Sequence, residues 1–159
     1  MRFTLIKDLR KERSMVVMLT SLLLSILLYL CVDILVKSTS FGISLATLNT
    51  TLFGNAQEFA EPITRASFLE YIHSEIFFMM MLLLTLSAIV IRICKASAFA
   101  LLSLNINLIS ALLSLLCLTL AYFYSASFLI LYLSGFFLWH MISMYLCAYA
   151  LWSLHAKTI

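Results

Sequence analysis

A chain of 159 residues that is 64% hydrophobic and 11% charged, with a mean hydropathy of +1.11, is far more apolar than a soluble domain, where about 25% of residues are charged. That composition excludes a water-soluble globular domain and points to an integral membrane protein. One Pro and three Gly leave no room for linkers or low-complexity segments, so residues 1–159 read as a single membrane domain. The net charge of +3 comes from basic residues at membrane flanks, which argues against nucleic acid as a partner.

The chain starts with Arg2, Lys7, Arg10, Lys11 and Arg13 among Phe3, Leu5, Ile6 and Leu9. They read as a topology signal. The alternative is a short amphipathic helix on an anionic leaflet, where each basic residue near the surface is worth about 1 kcal/mol. Residues 15–36 form the first apolar span, close to the roughly 20 residues that cross a hydrocarbon core of about 30 Å. The span exceeds the about 7–15 residues of a signal-peptide core and lacks an A-x-A-like site, so it is expected to remain as a helix. Asp33 near its far end reads as an interfacial carboxylate, with Lys37 four residues on at the spacing of a helical ion pair. A place at the outer mouth of an ion path is the other reading of Asp33.

Residues 37–66 form the one long loop. Phe41, Leu45, Leu48 and Leu52 fall on one helical line, with Ser44, Thr47, Thr50 and Thr51 off it. This predicts an amphipathic helix in the outer interface, ended by Gly54. Asn55 with Glu58 has capping-box spacing, and Pro62 stops the resulting turn.

The second span, residues 68–93, opens with Ser67 and Glu70 as a second capping box. Its first turns hold Glu70, His73, Ser74 and Glu75. Glu70 and His73 share a face, while Glu75 is about 200° from His73 and points elsewhere. Glu-x-x-His is the motif of di-metal carboxylate bundles, but those sites need it on two helices and here it occurs once. Glu70 and His73 are therefore weak metal candidates, with an interfacial hydrogen-bond cluster as the plainer reading. Glu75 is a turn deeper, where a carboxylate is costly. It is expected to be protonated, paired or facing internal water, unless it is shallow enough to snorkel.

The third span, residues 97–121, carries a stripe of Ala96, Ala100, Ser103, Asn107, Ser110, Ser114, Cys117 and Ala121 at alternating spacings of four and three. Small, weakly polar faces let helices approach closely in lipid. A 3.5-residue period favours a crossing of about +20°. This helix is therefore expected to be the packing spine, with the second and fourth spans on either side. Tyr122–Ser127 reads as an interfacial hairpin before the fourth span, residues 128–154. Eight of the ten Lys and Arg fall on one side of these spans, with Lys37 and Arg65 on the other. The positive-inside rule then places both termini in the cytoplasm.

His140 is the deepest ionisable residue. With Met144 and Cys147 it forms a line that would suit a soft metal, although a buried hydrogen bond to Asn107 is the preferred reading. A haem shared by His73 and His140 is disfavoured by a depth mismatch of about 12 Å. Cys31, Cys94, Cys117 and Cys147 lack C-x-x-C spacing and read as small hydrophobes. No phosphate loop, GxSxG or HExxH occurs.

The expected architecture is an all-α, antiparallel bundle of four transmembrane helices, with both ends inside and an amphipathic external loop. The expected function is a non-catalytic subunit or assembly factor. It would act through helix packing, and its partners would be the lipid bilayer and another membrane protein or a second copy. The alternatives are proton or cation transport through Asp33, Glu75, His73, His140 and Asn107, or a metal- or haem-binding redox protein using His73 or His140. No cofactor is implied with any force.

Overall fold

A computed structural model describes residues 12–93 and 97–156. The basic residues before Glu12, together with Cys94, Lys95, Ala96 and Lys157, lie outside the described residues. Among the described residues five helices follow one another: α1 (Arg13–Ser40), α2 (Leu45–Phe53), α3 (Arg65–Ile93), α4 (Ala98–Phe123) and α5 (Phe128–His155). Four of them, α1, α3, α4 and α5, are long and apolar enough to cross a membrane. At 26 to 29 residues each they are about 39–44 Å long, more than one hydrocarbon core.

The first helix runs four residues past the expected end of its span, to Ser40. Lys37 does not reach for headgroups but folds inward and is buried, so the charge does not terminate the helix. Gly42 terminates it. Its φ of 92° is left-handed, and its N–H bonds the Lys37 carbonyl at 2.7 Å. A Cβ there would sit 2.4 Å from Thr47 Oγ1, so only glycine fits the turn.

Ser44 then caps α2 in a reciprocal box with Thr47. The other two capping boxes do not form. Asn55 Oδ1 accepts from Gln57 N–H at 3.0 Å, and Asn55 pairs with Ala60 across a tight turn, which removes it from any helix start. Ahead of α3 it is Thr64 Oγ1 that accepts, from Ser67 N–H at 3.2 Å. The helix begins one turn earlier than expected, and Ser67 lies inside it. Phe41, Leu48 and Leu52 are buried against the bundle, with Leu45 exposed, so most of the loop's apolar line is covered internally.

The expected spine is displaced by one helix. It is α5 that packs against each of α1, α2, α3 and α4, most extensively against α4. Its buried residues include Leu129, Tyr132, Phe136, Trp139, Ser143, Leu146, Ala150 and Ser153, again at alternating spacings of three and four. On α4 the stripe does face protein: Ala100, Asn107, Ser110, Ser114, Cys117 and Ala121 are buried, with Ser103 half-buried. The helices come close at Gly135, where a Cβ would meet Ser114 Cβ at 3.0 Å and the Ser110 carbonyl at 3.1 Å. Small residues on one helix and a glycine on the other let the backbones close, as expected where van der Waals packing drives association.

Two apolar clusters fill the interior. One, around Leu23, Leu86, Ala111 and Leu146, lies toward the Arg13 end of α1. The other, around Phe41, Leu48, Phe68, Leu118 and Phe136, lies under α2. On α1 the first cluster reaches Leu30 and the second includes Ile34, with Phe41 just past the helix end. On α3 the boundary falls between Ile72 and Met79. The residues left between the clusters are the polar ones.

Candidate functional site

On α1, Asp33 and Lys37 are one turn apart and both turn inward. Lys37 Nζ donates to Asp33 Oδ2 at 2.8 Å and, across to α3, to Glu75 Oε1. From α5, His140 Nε2 lies 3.0 Å from the same Asp33 Oδ2, while His140 Nδ1 lies 2.9 Å from the Phe136 carbonyl. Three helices thus contribute four ionisable side chains to one buried cluster. Lys37 is 4% and His140 0% exposed. A buried charge is sustained only when it is paired and its hydrogen-bonding capacity is met. Lys37 has the Asp33 and Glu75 carboxylates within hydrogen-bond distance, and His140 meets Asp33 from the other side.

Aromatic rings close the cluster. Lys37 Nζ lies 5.1 Å from the Phe136 ring centroid and 6.0 Å from that of Trp139. The His140 ring centroid is 3.8 Å from Trp139 and 4.2 Å from Phe136. Electron-rich ring faces favour cations in such positions. Beside Glu75, the side chains of Tyr71, Ser114, Tyr132 and Trp139 line a cavity of about 10 Å³, room for about one water molecule.

On either side of this cluster α4 and α5 are joined by neutral polar contacts. Asn107 Nδ2 donates to Ser143 Oγ at 2.8 Å, and Ser114 Oγ donates to the Tyr132 carbonyl at 3.1 Å. Asn107 Oδ1 is buried without a partner. The expected bond between His140 and Asn107 is not made. Ser143 lies one turn along α5 from His140 and takes the amide, whereas the imidazole is drawn to the carboxylate of Asp33.

The remaining candidates fall apart spatially. Glu70 and His73 are exposed on α3 and take no part in the cluster, while Glu75 points inward, as the helical angle between it and His73 requires. Asp33, expected at the interface, is inside the bundle because α1 continues for seven residues beyond it. Among the described residues no group of three or more His, Cys, Asp or Glu is arranged to hold a metal ion. Cys31, Cys117 and Cys147 are free thiols.

Lys37 is the member that sequence reasoning left outside the site. A usable signal was present: Asp33, Lys37, Glu75 and His140 all lie in the half of their helices nearest α2, so a common layer was available. Ending the first span at Val36 put Asp33 at the edge and Lys37 beyond it.

Four long apolar helices around a lipid-compatible exterior with a buried ionic layer define an integral, multi-pass membrane protein with an all-helical bundle. The sequence model of the Aq_1264_TM family, a transmembrane helical domain, matches residues 42–158, and the chain belongs to that family. The match covers α2 to α5 and begins just after α1, so Glu75 and His140 lie within it and Asp33 and Lys37 precede it. No curated protein and no solved structure matches the chain.

Proposed function

We propose that the protein is a non-catalytic membrane subunit or assembly factor, and that the free flank of α1 is the surface it offers to a transmembrane helix of another protein. The observation that carries this reading is the uneven burial of the four spans. In its most apolar stretch α1 is 22% buried, against 39%, 39% and 44% for α3, α4 and α5. An open groove of about 490 Å³ runs along this flank, lined in part by Thr20, Ser21, Ser25 and His155. Hydroxyl-bearing and small residues on a lipid-exposed flank are what helix–helix contacts in membranes use. At the other end of the bundle Phe59 is 95% exposed and offers the α2 loop as a second contact. With both termini cytoplasmic, as the distribution of Lys and Arg suggests, the groove lies in the inner half and the loop outside.

Photocrosslinking in native membranes tests this reading. A photoreactive residue at Leu24 or Phe59 should give a discrete protein adduct at one position or both. Labelling of lipid alone at both would overturn it.

The second reading, transport of protons or a cation, is favoured by the Asp33–Lys37–Glu75–His140 cluster, since ionisable groups inside a span are the usual elements of such paths. In reconstituted vesicles Glu75→Gln should then abolish flux, because the amide keeps the shape and loses the charge. Absence of flux from the unsubstituted protein under proton and alkali-cation gradients would remove this reading and leave the first standing.

A further inference from the structure

Both ring nitrogens of His140 face acceptors. Nδ1 meets the Phe136 carbonyl at 2.9 Å and Nε2 meets Asp33 Oδ2 at 3.0 Å. A neutral imidazole has one N–H and one bare nitrogen, so in the neutral form one of these contacts would set lone pair against lone pair. Either the ring carries both protons or Asp33 carries one. Asp33 Oδ2 also accepts from Lys37 Nζ at 2.8 Å. An oxygen that accepts from an ammonium in a paired salt bridge is the oxygen of an ionised carboxylate, which has no proton to give Nε2. The second proton therefore belongs to the ring.

The charge count agrees. With an imidazolium the cluster holds two positive groups, Lys37 and His140, and two negative ones, Asp33 and Glu75, a net charge of zero. Loss of the ring proton would leave one unbalanced negative charge in a low-dielectric layer between two apolar clusters. The flanking rings of Trp139 and Phe136 act in the same direction, since their faces stabilise a cation.

We infer that the Asp33–Lys37–Glu75–His140 cluster is a binding site for one exchangeable proton, held on His140 Nε2 against Asp33 Oδ2. The route to it is through the carboxylates. His140 is fully enclosed, while the side chains of Asp33 and Glu75 retain 12% and 17% exposure. On release, the Nε2–H bond breaks, its electron pair stays on nitrogen, and the proton passes to Asp33 Oδ2 and then to water; binding is the reverse. Among the described residues the other titratable groups around the site are Tyr29 on α1, Tyr71 on α3 and Tyr132 on α5, whose phenols ordinarily ionise near pH 10. Toward the site α4 presents the neutral Ser114. The site needs neither a docked partner nor net transport, so it stands whether or not either functional reading does.

Nitrogen NMR of histidine-labelled protein in liposomes tests it, with the His140 signals identified by their loss in His140→Gln. Near pH 7 both ring nitrogens of His140 should bear protons, and raising the pH should remove one proton in a single step. In Asp33→Asn the proton should bind at least tenfold more weakly, as follows from losing an opposite charge at hydrogen-bond distance. Tyr29→Phe should leave the titration where it was. A His140 in the unsubstituted protein with one bare nitrogen throughout the range from pH 5 to 7 would overturn the inference, whatever the variants do. An unchanged titration in Asp33→Asn would overturn it as well.

Discussion

The two seams that α5 makes, with α4 on one side and with α1 on the other, are built from opposite chemistry. Against α4 it sets Gly135 into the small residues Ser110 and Ser114, and hydrogen bonds from Asn107 and Ser114 join neutral partners. Against α1 the buried polar contact joins His140 to Asp33, with a longer, exposed one between Thr20 and His155 at 3.5 Å, and Lys37 carries the buried network on to α3. The first seam is distributed over the length of two helices, and each contact in it is small. The buried part of the second is concentrated at one level, and its members depend on each other's charges. A distributed seam loses a little at each substitution, whereas a concentrated one fails when its balance is broken.

The largest effect should therefore come from Lys37→Met. It removes the cation that Asp33 and Glu75 share, leaving Glu75 without its partner and Asp33 with His140 alone, and removing one partner of a buried ion pair typically costs about 3–5 kcal/mol. Unfolding in lipid or mild detergent, with a reporter on α1, would measure it. A loss under about 1 kcal/mol would mean that the charges are solvated and that the seam is not ionic. A smaller effect is expected at the other seam. Ser114→Leu overpacks the approach to Gly135 and should cost about 1–3 kcal/mol, while Leu112→Ile on the exposed face of α4 should cost little. Equal costs at the two positions would remove the distinction between a packed and a lipid-facing side.

The same contrast separates what the sequence made legible from what it did not. The α4 stripe was readable because a packing seam is written as a period within one helix, and Ala100, Asn107, Ser110, Ser114 and Cys117 are buried as their spacing implied. The corresponding stripe on α5 follows the same period but sets the large Leu129, Tyr132, Phe136 and Trp139 ahead of Ser143, Ala150 and Ser153, so no continuous small-residue face announced it. Because of this the centre of the bundle was assigned to α4. The apolar line of the loop was legible as α2, but burial of Leu48 and Leu52 depended on where α3 and α5 leave room for it.

The ionic layer was legible only in pieces. The Asp33–Lys37 pair follows from i, i+4 spacing, and the inward turn of Glu75 follows from its angle to His73. Their meeting with His140 depends on the relative heights of three helices, which residue spacing within each helix does not encode. Four additional residues at the end of α1 shift Asp33 by about 6 Å in depth, enough to move it from an expected interface to the level of Glu75 and His140.

Whether α1 is held to α5 by charge is measured most directly by a double-mutant cycle between Asp33→Asn and His140→Gln, read as unfolding free energy in bilayers. Contact at 3.0 Å between paired charges should give a coupling of about 1 kcal/mol or more. Additivity of the two substitutions to within about 0.3–0.5 kcal/mol would contradict it, because side chains that do not share a bond have nothing to lose twice.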